Sequence, residues 1–181
     1  MTDIHIIHNP DRYPRHVSLT HEMFRQGLSD FALWPAIIDD PICRGVSRAH
    51  KQIVAWALGA GLPEVTVMED DVKFPSANGY SYYLKHKPKD FDLYLGGIYR
   101  GTIKNDRVKD FSGLHMYTVR AKFYEKFLAA DELKHLDTAL AGLGDYHVCY
   151  PMVAIQYNGY SDVERAKTNF DNLLNDKLIY T

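Results

Sequence analysis

A chain of 181 residues that is 46% hydrophobic and 24% charged is long enough to bury a substantial core, so we expect one globular domain over residues 1–181. Its formal net charge of −2 gives no bulk attraction to nucleic acid, which we therefore do not expect as a partner. The N-terminus lacks a signal-peptide pattern and no apolar run reaches bilayer-spanning length, so the sequence predicts a cytoplasmic protein without a transmembrane segment.

Signals for strands and helices alternate along the chain, which predicts an α/β fold. In the first half we predict a strand at 4–8, a helix at 18–28, an irregular strand at 31–38, a helix at 44–60, a strand at 65–68 and a helix at 80–86. In the second half we predict strands at 91–95 and 114–119, a helix at 121–130, a strand at 148–155, and an amphipathic helix that carries Phe170, Leu173 and Leu174.

A polar segment at 99–111 is predicted to be a solvated loop, with a substrate lid as the alternative. Its basic residues are Arg100, Lys104, Arg107 and Lys109. The two cysteines, Cys43 and Cys149, lie far apart and lack the spacing of metal ligands. They are therefore predicted to be reduced thiols with packing roles.

Three consecutive acids, Glu69, Asp70 and Asp71, follow the predicted strand at 65–68 directly. Adjacent carboxylates at the edge of a core repel one another and lose hydration, so they require a cation or a positive partner. Hard ions such as Mg²⁺ and Mn²⁺ prefer oxygen ligands, and ligands of open α/β sheets collect at the carboxyl ends of strands. The acids therefore predict a cation site, with a solvated turn paired to Lys or Arg as the alternative.

Several blocks of the sequence, in a shared order around these acids, carry a resemblance to a known family. The blocks are Asn9, Asp11, Arg12 and Arg15, then residues 45–50, 69–71, 92–97, 113–119, 136–137, 148–151 and 161–163. Together they resemble glycosyltransferase family 25, the sugar transferases of lipopolysaccharide and collagen-type glycosylation. The resemblance implies a GT-A type nucleotide-sugar transferase fold, with a mixed central sheet flanked by helices.

The activity that this resemblance implies is metal-dependent transfer of a hexose from a nucleotide-sugar donor to a glycan or other hydroxyl acceptor, with inversion. By analogy with the family's acidic motif, Glu69 and Asp71 hold Mn²⁺ or Mg²⁺, and Asp70 meets the donor ribose. A third metal ligand near the last strand is His147 or Gln156.

The remaining substrate-binding candidates are Asn9, Arg12, Arg15, His50 and Gly97. Guanidinium groups suit phosphate geometry, although surface ion pairing is the alternative for both arginines. His50 is included through the family match and is otherwise typical of a hydrogen-bonded structural histidine. Gly97 has no side chain, so we expect its backbone to approach a ligand.

Inversion requires a general base that takes a proton from the acceptor hydroxyl, and Asp137 is the candidate. Asp145 and Asp162 remain open, and Asp137 is equally well explained as a helix N-cap. Two other functions stay open as well. One is a degenerate domain that binds a nucleotide-sugar or glycan without turnover, and the other is a metal-dependent phosphohydrolase.

Overall fold

A computed structural model describes residues 4–161, 166–169 and 178–180, and the statements that follow concern those residues. The strands are β1 (Ile4–His8), β2 (Ala32–Pro35), β3 (Glu64–Glu69), β4 (Val72–Lys73), β5 (Leu93–Leu95), β6 (Arg100–Lys104), β7 (Arg107–Ser112), β8 (Met116–Arg120), β9 (Tyr146–Val148), β10 (Ile155–Gln156), β11 (Gly159–Ser161), β12 (Ala166–Thr168) and β13 (Leu178–Tyr180). The helices are α1 (Tyr13–Arg25), α2 (Ile42–Gly59), α3 (Gly79–Lys85), α4 (Tyr124–Leu128) and α5 (Leu136–Leu140), with a 3₁₀ turn at Ala121–Phe123.

The centre of the fold is a mixed sheet of nine strands in the order β13-β6-β7-β9-β5-β8-β3-β1-β2. β1 is parallel to both β2 and β3, whereas β8 is antiparallel to β3 and to β5. Ile7 stands opposite Glu69 in the register of β1 and β3, so both strands end at the same edge of the sheet. The predicted α/β class, with a mixed sheet flanked by helices, is therefore confirmed.

Side chains of the central strands alternate between two cores, as the pleat of a strand requires. Ile4 and Ile6 of β1 belong to the core that contains Leu19 and Met23 of α1. Ile7 of β1 points to the opposite core, which also contains Ile53 of α2. The helices α1 and α2 therefore cover opposite faces of the sheet, and the acid-bearing edge lies between their ends.

The bounds of α1 and β2 show how proline is accommodated. α1 begins at Tyr13, earlier than the predicted start at residue 18, because Pro14 lies in the first turn, where a missing backbone N–H costs nothing. β2 includes Pro35 because β2 is the outermost strand next to β1. An edge strand tolerates a residue that cannot donate to the ladder.

The prediction of a loop over residues 99–111 is wrong, because this segment forms the antiparallel hairpin β6–β7. Asn105 and Asp106 connect the strands with φ angles of 49° and 67°, a backbone conformation that Asn and Asp adopt more readily than most residues. Ile103, Val108 and Phe111 are buried. The hairpin thus adds apolar side chains to the core despite its many charges.

The single strand predicted over residues 148–155 is also wrong, because Pro151 separates two short strands. β9 pairs within the large sheet, whereas β10 pairs antiparallel with β4 and places Gln156 opposite Val72. This pairing brings Gln156 next to the acids. The helix predicted around Phe170, Leu173 and Leu174 lies outside the described residues.

Cys43 and Cys149 are free thiols, and Cys149 is buried in the core. Within the described ranges, the helices lack the combination of length and apolar character that crossing a bilayer requires.

Gly45 of α2 provides a test of how α2 is seated against the segment after β2. A Cβ at this position would lie 2.3 Å from the Ile37 carbonyl oxygen, whereas a Cβ at Gly59 meets nothing within 4 Å. We expect Gly45→Ala to lower the free energy of unfolding by roughly 1–3 kcal/mol through overpacking. Gly59→Ala, the matched control in the same helix, should raise it by up to about 1 kcal/mol. Urea denaturation measures both, and equal effects would contradict this packing.

Candidate functional site

A cleft of about 870 Å³ opens at the edge where β1 and β3 end. Most of the predicted site residues line it together with residues that the sequence did not single out. Those used below are Asn9, Arg12, Arg15, Asp39, His50, Glu69, Asp70, Asp71, Ser112, Gly113, Asp137 and Gln156. The cleft therefore brings together the β1–α1 connection, the end of β3, the start of α5 and β10.

The three acids are held at the wall of this cleft rather than in a solvated turn. Asp70 and Asp71 are only 4% and 6% exposed, and the side chain of Glu69 is 24% exposed. Burial removes most of the hydration of two carboxylates, so their stability depends on the donors around them. The alternative of a solvated turn paired to Lys or Arg is therefore wrong about solvation, although the pairing occurs, because Arg15 contacts both Asp70 and Asp71.

Asp70 is fixed by three donors from the start of the chain. The Nδ1–H of His8 donates to Oδ2 at 2.9 Å, and the backbone N–H of Asn9 donates to the same oxygen at 3.1 Å. Nη1 of Arg15 donates to Oδ1 at 2.9 Å. Asp70 therefore fastens the end of β1 and the first turn of α1 to the end of β3, a role that the sequence did not predict.

Glu69 and Asp71 converge on one point, which the side-chain amide of Gln156 occupies. Its Nε2 donates to Glu69 Oε2 at 2.7 Å and to Asp71 Oδ1 at 3.0 Å. His50 donates to Glu69 Oε1 over 3.2 Å and contacts the Tyr117 hydroxyl through Nδ1 at 3.0 Å. One neutral tautomer of His50 satisfies both contacts. His50 is thus a buried residue that positions Glu69.

The electrostatics of the two converging carboxylates differ. Burial raises the pKa of Asp71 to about 7, and the nearby Glu69 charge adds to that rise. Burial also acts to raise the pKa of Glu69, but the hydrogen bond from His50 and the nearby charges of His50, His115 and Arg15 together outweigh it, and the pKa is lowered. Glu69 therefore gives up its proton more readily than an ordinary glutamic acid, whereas Asp71 keeps a proton up to near-neutral pH, and a cation at the shared point would take the place of that proton.

The residues at this point fit a hard divalent cation. In the part of the chain that the structure describes, no three His, Cys, Asp or Glu side chains form a metal-holding group. However, a half-turn of the Gln156 amide exchanges its nitrogen for an oxygen of similar size and presents that oxygen alongside Glu69 and Asp71. Two carboxylates plus phosphate oxygens and water are the ligands that Mg²⁺ commonly takes.

The predicted arginines lie on the same side of the cleft. Arg12 immediately precedes α1 and Arg15 lies in its first turn, and both line the cleft. Nη1 of Arg15 also contacts Asp71 Oδ2 at 3.0 Å, so this guanidinium bridges two of the three acids. The side-chain oxygen of Asn9 accepts the Asp11 N–H at 3.1 Å, which shapes the loop.

Asp137 lies on a different wall of the cleft, built by α5 and the end of β7. Its Oδ2 accepts the Ser112 hydroxyl at 2.9 Å and the Gly113 N–H at 3.0 Å. The prediction that Asp137 is an N-cap is wrong, because His135 occupies the N-cap of α5 and Asp137 lies inside the first turn. The carboxylate is thus anchored to the connection after β7.

Three further predicted residues lie outside the cleft or outside the described residues. Asp145 forms an ion pair with Arg107 and does not line the cleft. His147 contacts Asp106 at 3.0 Å on the hairpin side, so it is not the third residue beside Glu69 and Asp71. Asp162 lies outside the described residues. Of the two candidates for a third metal ligand, Gln156 lines the cleft. Of the described candidates for the general base, Asp137 lines it.

Gly97 is placed against protein backbone rather than at the cleft. A Cβ at Gly97 would lie 2.1 Å from the Ala154 carbonyl oxygen. The close approach that its missing side chain permits is therefore to the segment before β10, not to a ligand. Its contribution to the site is indirect, because this packing fixes the chain that leads to Gln156.

Asp39 is a cleft acid that the sequence analysis missed. It pairs with Arg44 at 2.6 Å and with Arg48 at 2.8 Å, and the hydrogen bond from Arg44 lowers the pKa of Asp39 to about 2. A carboxylate with so low a pKa is a weak base. Asp39 follows β2 in sequence, so a search for acids after predicted parallel strands could have found it.

No protein-family model and no curated protein matches this chain. Solved structures share its fold, including the following two. The structure of A197 from STIV is 15% identical with a TM-score of 0.55, and the match covers 93% of this chain and 95% of that chain. The structure of HddC from Yersinia pseudotuberculosis is 12% identical with a TM-score of 0.53, and the match covers 82% and 89%. At these identities the likeness shows the fold alone.

The raised pKa of Asp71 predicts a pH-dependent effect of removing its charge. Because its pKa rises from 3.8 to about 7 on folding, the folded state binds this proton more tightly than the unfolded state does. That stabilisation is complete below about pH 4 and is lost as the pH rises to 7. We therefore expect Asp71→Asn to raise the melting temperature at pH 8, without metal, by about 3 °C or more.

The gain in melting temperature of Asp71→Asn over the wild-type protein should grow between pH 4 and pH 7 and then level off. Asp131→Asn removes a carboxylate that is half exposed and serves as the control with no such trend. Melting curves by circular dichroism measure both variants, and a gain that is independent of pH would show that Asp71 is not held in this state.

Proposed function

We propose that this protein is a metal-dependent glycosyltransferase of the GT-A type, related to glycosyltransferase family 25, and that it transfers a hexose from a nucleotide-sugar to a glycan or other hydroxyl acceptor with inversion. The observation that carries the proposal is the convergence of Glu69 and Asp71 on one point inside a cleft at the carboxyl edge of the sheet. The order of the sequence blocks around these acids supports the same assignment.

On the donor side, the chain would bind a nucleoside diphosphate between the acids and the arginines. Glu69, Asp71 and the amide of Gln156 would hold Mn²⁺ or Mg²⁺, which neutralises the charge that develops on the departing diphosphate oxygen. Arg12 and Arg15 offer planar donors to phosphate oxygens from the same side of the cleft. Asp70 holds this arrangement in place, and its Oδ1, which accepts from Arg15, has room for one further hydrogen bond from a ribose hydroxyl.

On the acceptor side, Asp137 is the proposed general base. Among the carboxylates that line the cleft, Glu69, Asp70 and Asp71 belong to the donor side, and Asp39 is engaged by two arginines. Asp137 is held by Ser112 and Gly113, so its position is fixed before an acceptor arrives. It would take the proton from the acceptor hydroxyl as that oxygen bonds to the anomeric carbon and the diphosphate leaves.

A domain that binds nucleotide-sugar or glycan without turnover is the second candidate. The buried acids and the cleft serve binding and catalysis equally, so the two functions differ only in whether the glycosyl bond breaks. A phosphohydrolase, the third candidate, would instead break a phosphorus–oxygen bond. Product analysis separates them, because glycosyl cleavage yields a free hexose and a nucleoside diphosphate, whereas cleavage between the phosphates yields a hexose phosphate and a nucleoside monophosphate.

The test begins with a thermal-shift screen of nucleotide-sugars with and without Mn²⁺, because ligands that bind only the folded state raise its stability. With the donor that gives the largest shift, we expect slow Mn²⁺-dependent release of free hexose. Asp71→Ala should lose both the Mn²⁺-dependent shift and at least about 100-fold of the turnover. Asp137→Asn should keep the shift and lose about 100-fold of the turnover.

Asp145→Asn is the matched control for Asp137→Asn, since it makes the same change at a carboxylate outside the cleft and should leave both readouts unchanged. A Mn²⁺-dependent shift without hexose release would favour the binding domain. No shift with any nucleotide-sugar in the wild-type protein would overturn the proposal.

A further inference from the structure

Arg15 occupies a position that conflicts with a cation at the acids. Its Nη1 lies 2.9 Å from Asp70 Oδ1 and 3.0 Å from Asp71 Oδ2. Asp71 also faces the point shared with Glu69 through its other oxygen. A divalent cation at that shared point and the guanidinium of Arg15 would therefore contact the two oxygens of the same carboxylate. Two positive charges this close together in a partly buried site repel each other strongly.

Arg15 is also able to leave this position. Its side chain is 28% exposed, in contrast to the nearly buried acids. It lines both the main cleft and a neighbouring hollow of about 450 Å³, which Ser18 and Asn158 also line. The guanidinium therefore has open volume beside it into which it can move when it gives up Asp71, while His8 and Asn9 continue to hold Asp70.

We propose that Arg15 is the resident counter-cation of the acid cluster, and that a divalent cation binds tightly only when a nucleoside diphosphate draws Arg15 away from Asp71. This inference rests on the proposed function, because it describes how the same site is regulated. The phosphate oxygens offer Arg15 a bidentate partner that replaces the carboxylate it gives up.

The consequence is positive coupling between the cation and the diphosphate. Each ligand relieves a charge conflict that opposes the other, and such coupling acts equally in both directions at equilibrium. A cation that binds alone is repelled by the guanidinium of Arg15. A diphosphate that binds alone is repelled by the three carboxylates. An ion bound without its substrate would therefore be held weakly.

The decisive variant is Arg15→Met, which keeps an apolar stem of similar length and removes the charge. Mn²⁺ binding is measured by electron paramagnetic resonance of the free ion, in the absence of nucleotide and with ADP, GDP, UDP and CDP in turn. We expect Arg15→Met to bind Mn²⁺ alone on the order of tenfold more tightly than the wild-type protein. The enhancement of Mn²⁺ binding by the most effective nucleotide should fall from on the order of tenfold to nearly none.

Two further variants serve as controls. One tests whether the planar shape of the Arg15 side chain matters beyond its charge, and the other tests whether loss of any arginine charge has the same effect. Arg15→Lys keeps the charge but not the planar fork, so it should bind Mn²⁺ alone as weakly as the wild-type protein and lose most of the enhancement. Arg48→Met makes the same charge change at an arginine that also bridges two carboxylates, Asp39 at 2.8 Å and Glu132 at 2.9 Å. Arg48→Met should change neither the affinity for Mn²⁺ alone nor the enhancement of Mn²⁺ binding by nucleotide.

Each outcome bears on one proposal or on both. If wild-type protein couples Mn²⁺ to a nucleotide but Arg15→Met binds Mn²⁺ alone no more tightly, this inference is wrong and the proposed function stands. If Mn²⁺ binds to neither protein under any condition, both fail. If melting curves show that Arg15→Met does not fold, Arg15→Lys decides, and an unchanged enhancement in that variant overturns the inference.

Discussion

The rest of this structure depends on the need to keep three adjacent carboxylates at the buried end of β3. Their desolvation opposes folding, so each requires donors that the local chain does not supply. Those donors come from the end of β1, the start of α1, the middle of α2 and from β10, through His8, Arg15, His50 and Gln156. The elements around the cleft are therefore held together by the same contacts that hold the charge.

The donors divide the acids into two kinds. Asp70 has its own set from β1 and α1, including a backbone N–H, and this set ties the chain together. Glu69 and Asp71 each accept one hydrogen bond from the same amide, and Asp71 carries the raised pKa. The sequence presents three similar acids in a row, whereas the fold makes Asp70 structural, lowers the pKa of Glu69 and raises the pKa of Asp71.

What the sequence could predict was set by local pattern. The period of α2, the apolar run of β3 and the position of the acids after it all follow from neighbouring residues, and each was confirmed. The pairing of β10 with β4 could not be predicted, because it joins segments far apart in the chain and is only two residues long. The role of Gln156 and the packing of Gly97 against Ala154 both follow from that pairing.

The wrong prediction of a loop over residues 99–111 also affects how the site is understood. Charged residues between 99 and 111 suggested a loop, but the turn at Asn105 and Asp106 and the buried Phe111 make β7 a strand that leads directly to Ser112 and Gly113. Those two residues hold Asp137. Because a strand within a sheet has a fixed position, it places the proposed base more accurately than a solvated loop could. The wall of the cleft that carries Asp137 is therefore anchored to the sheet itself.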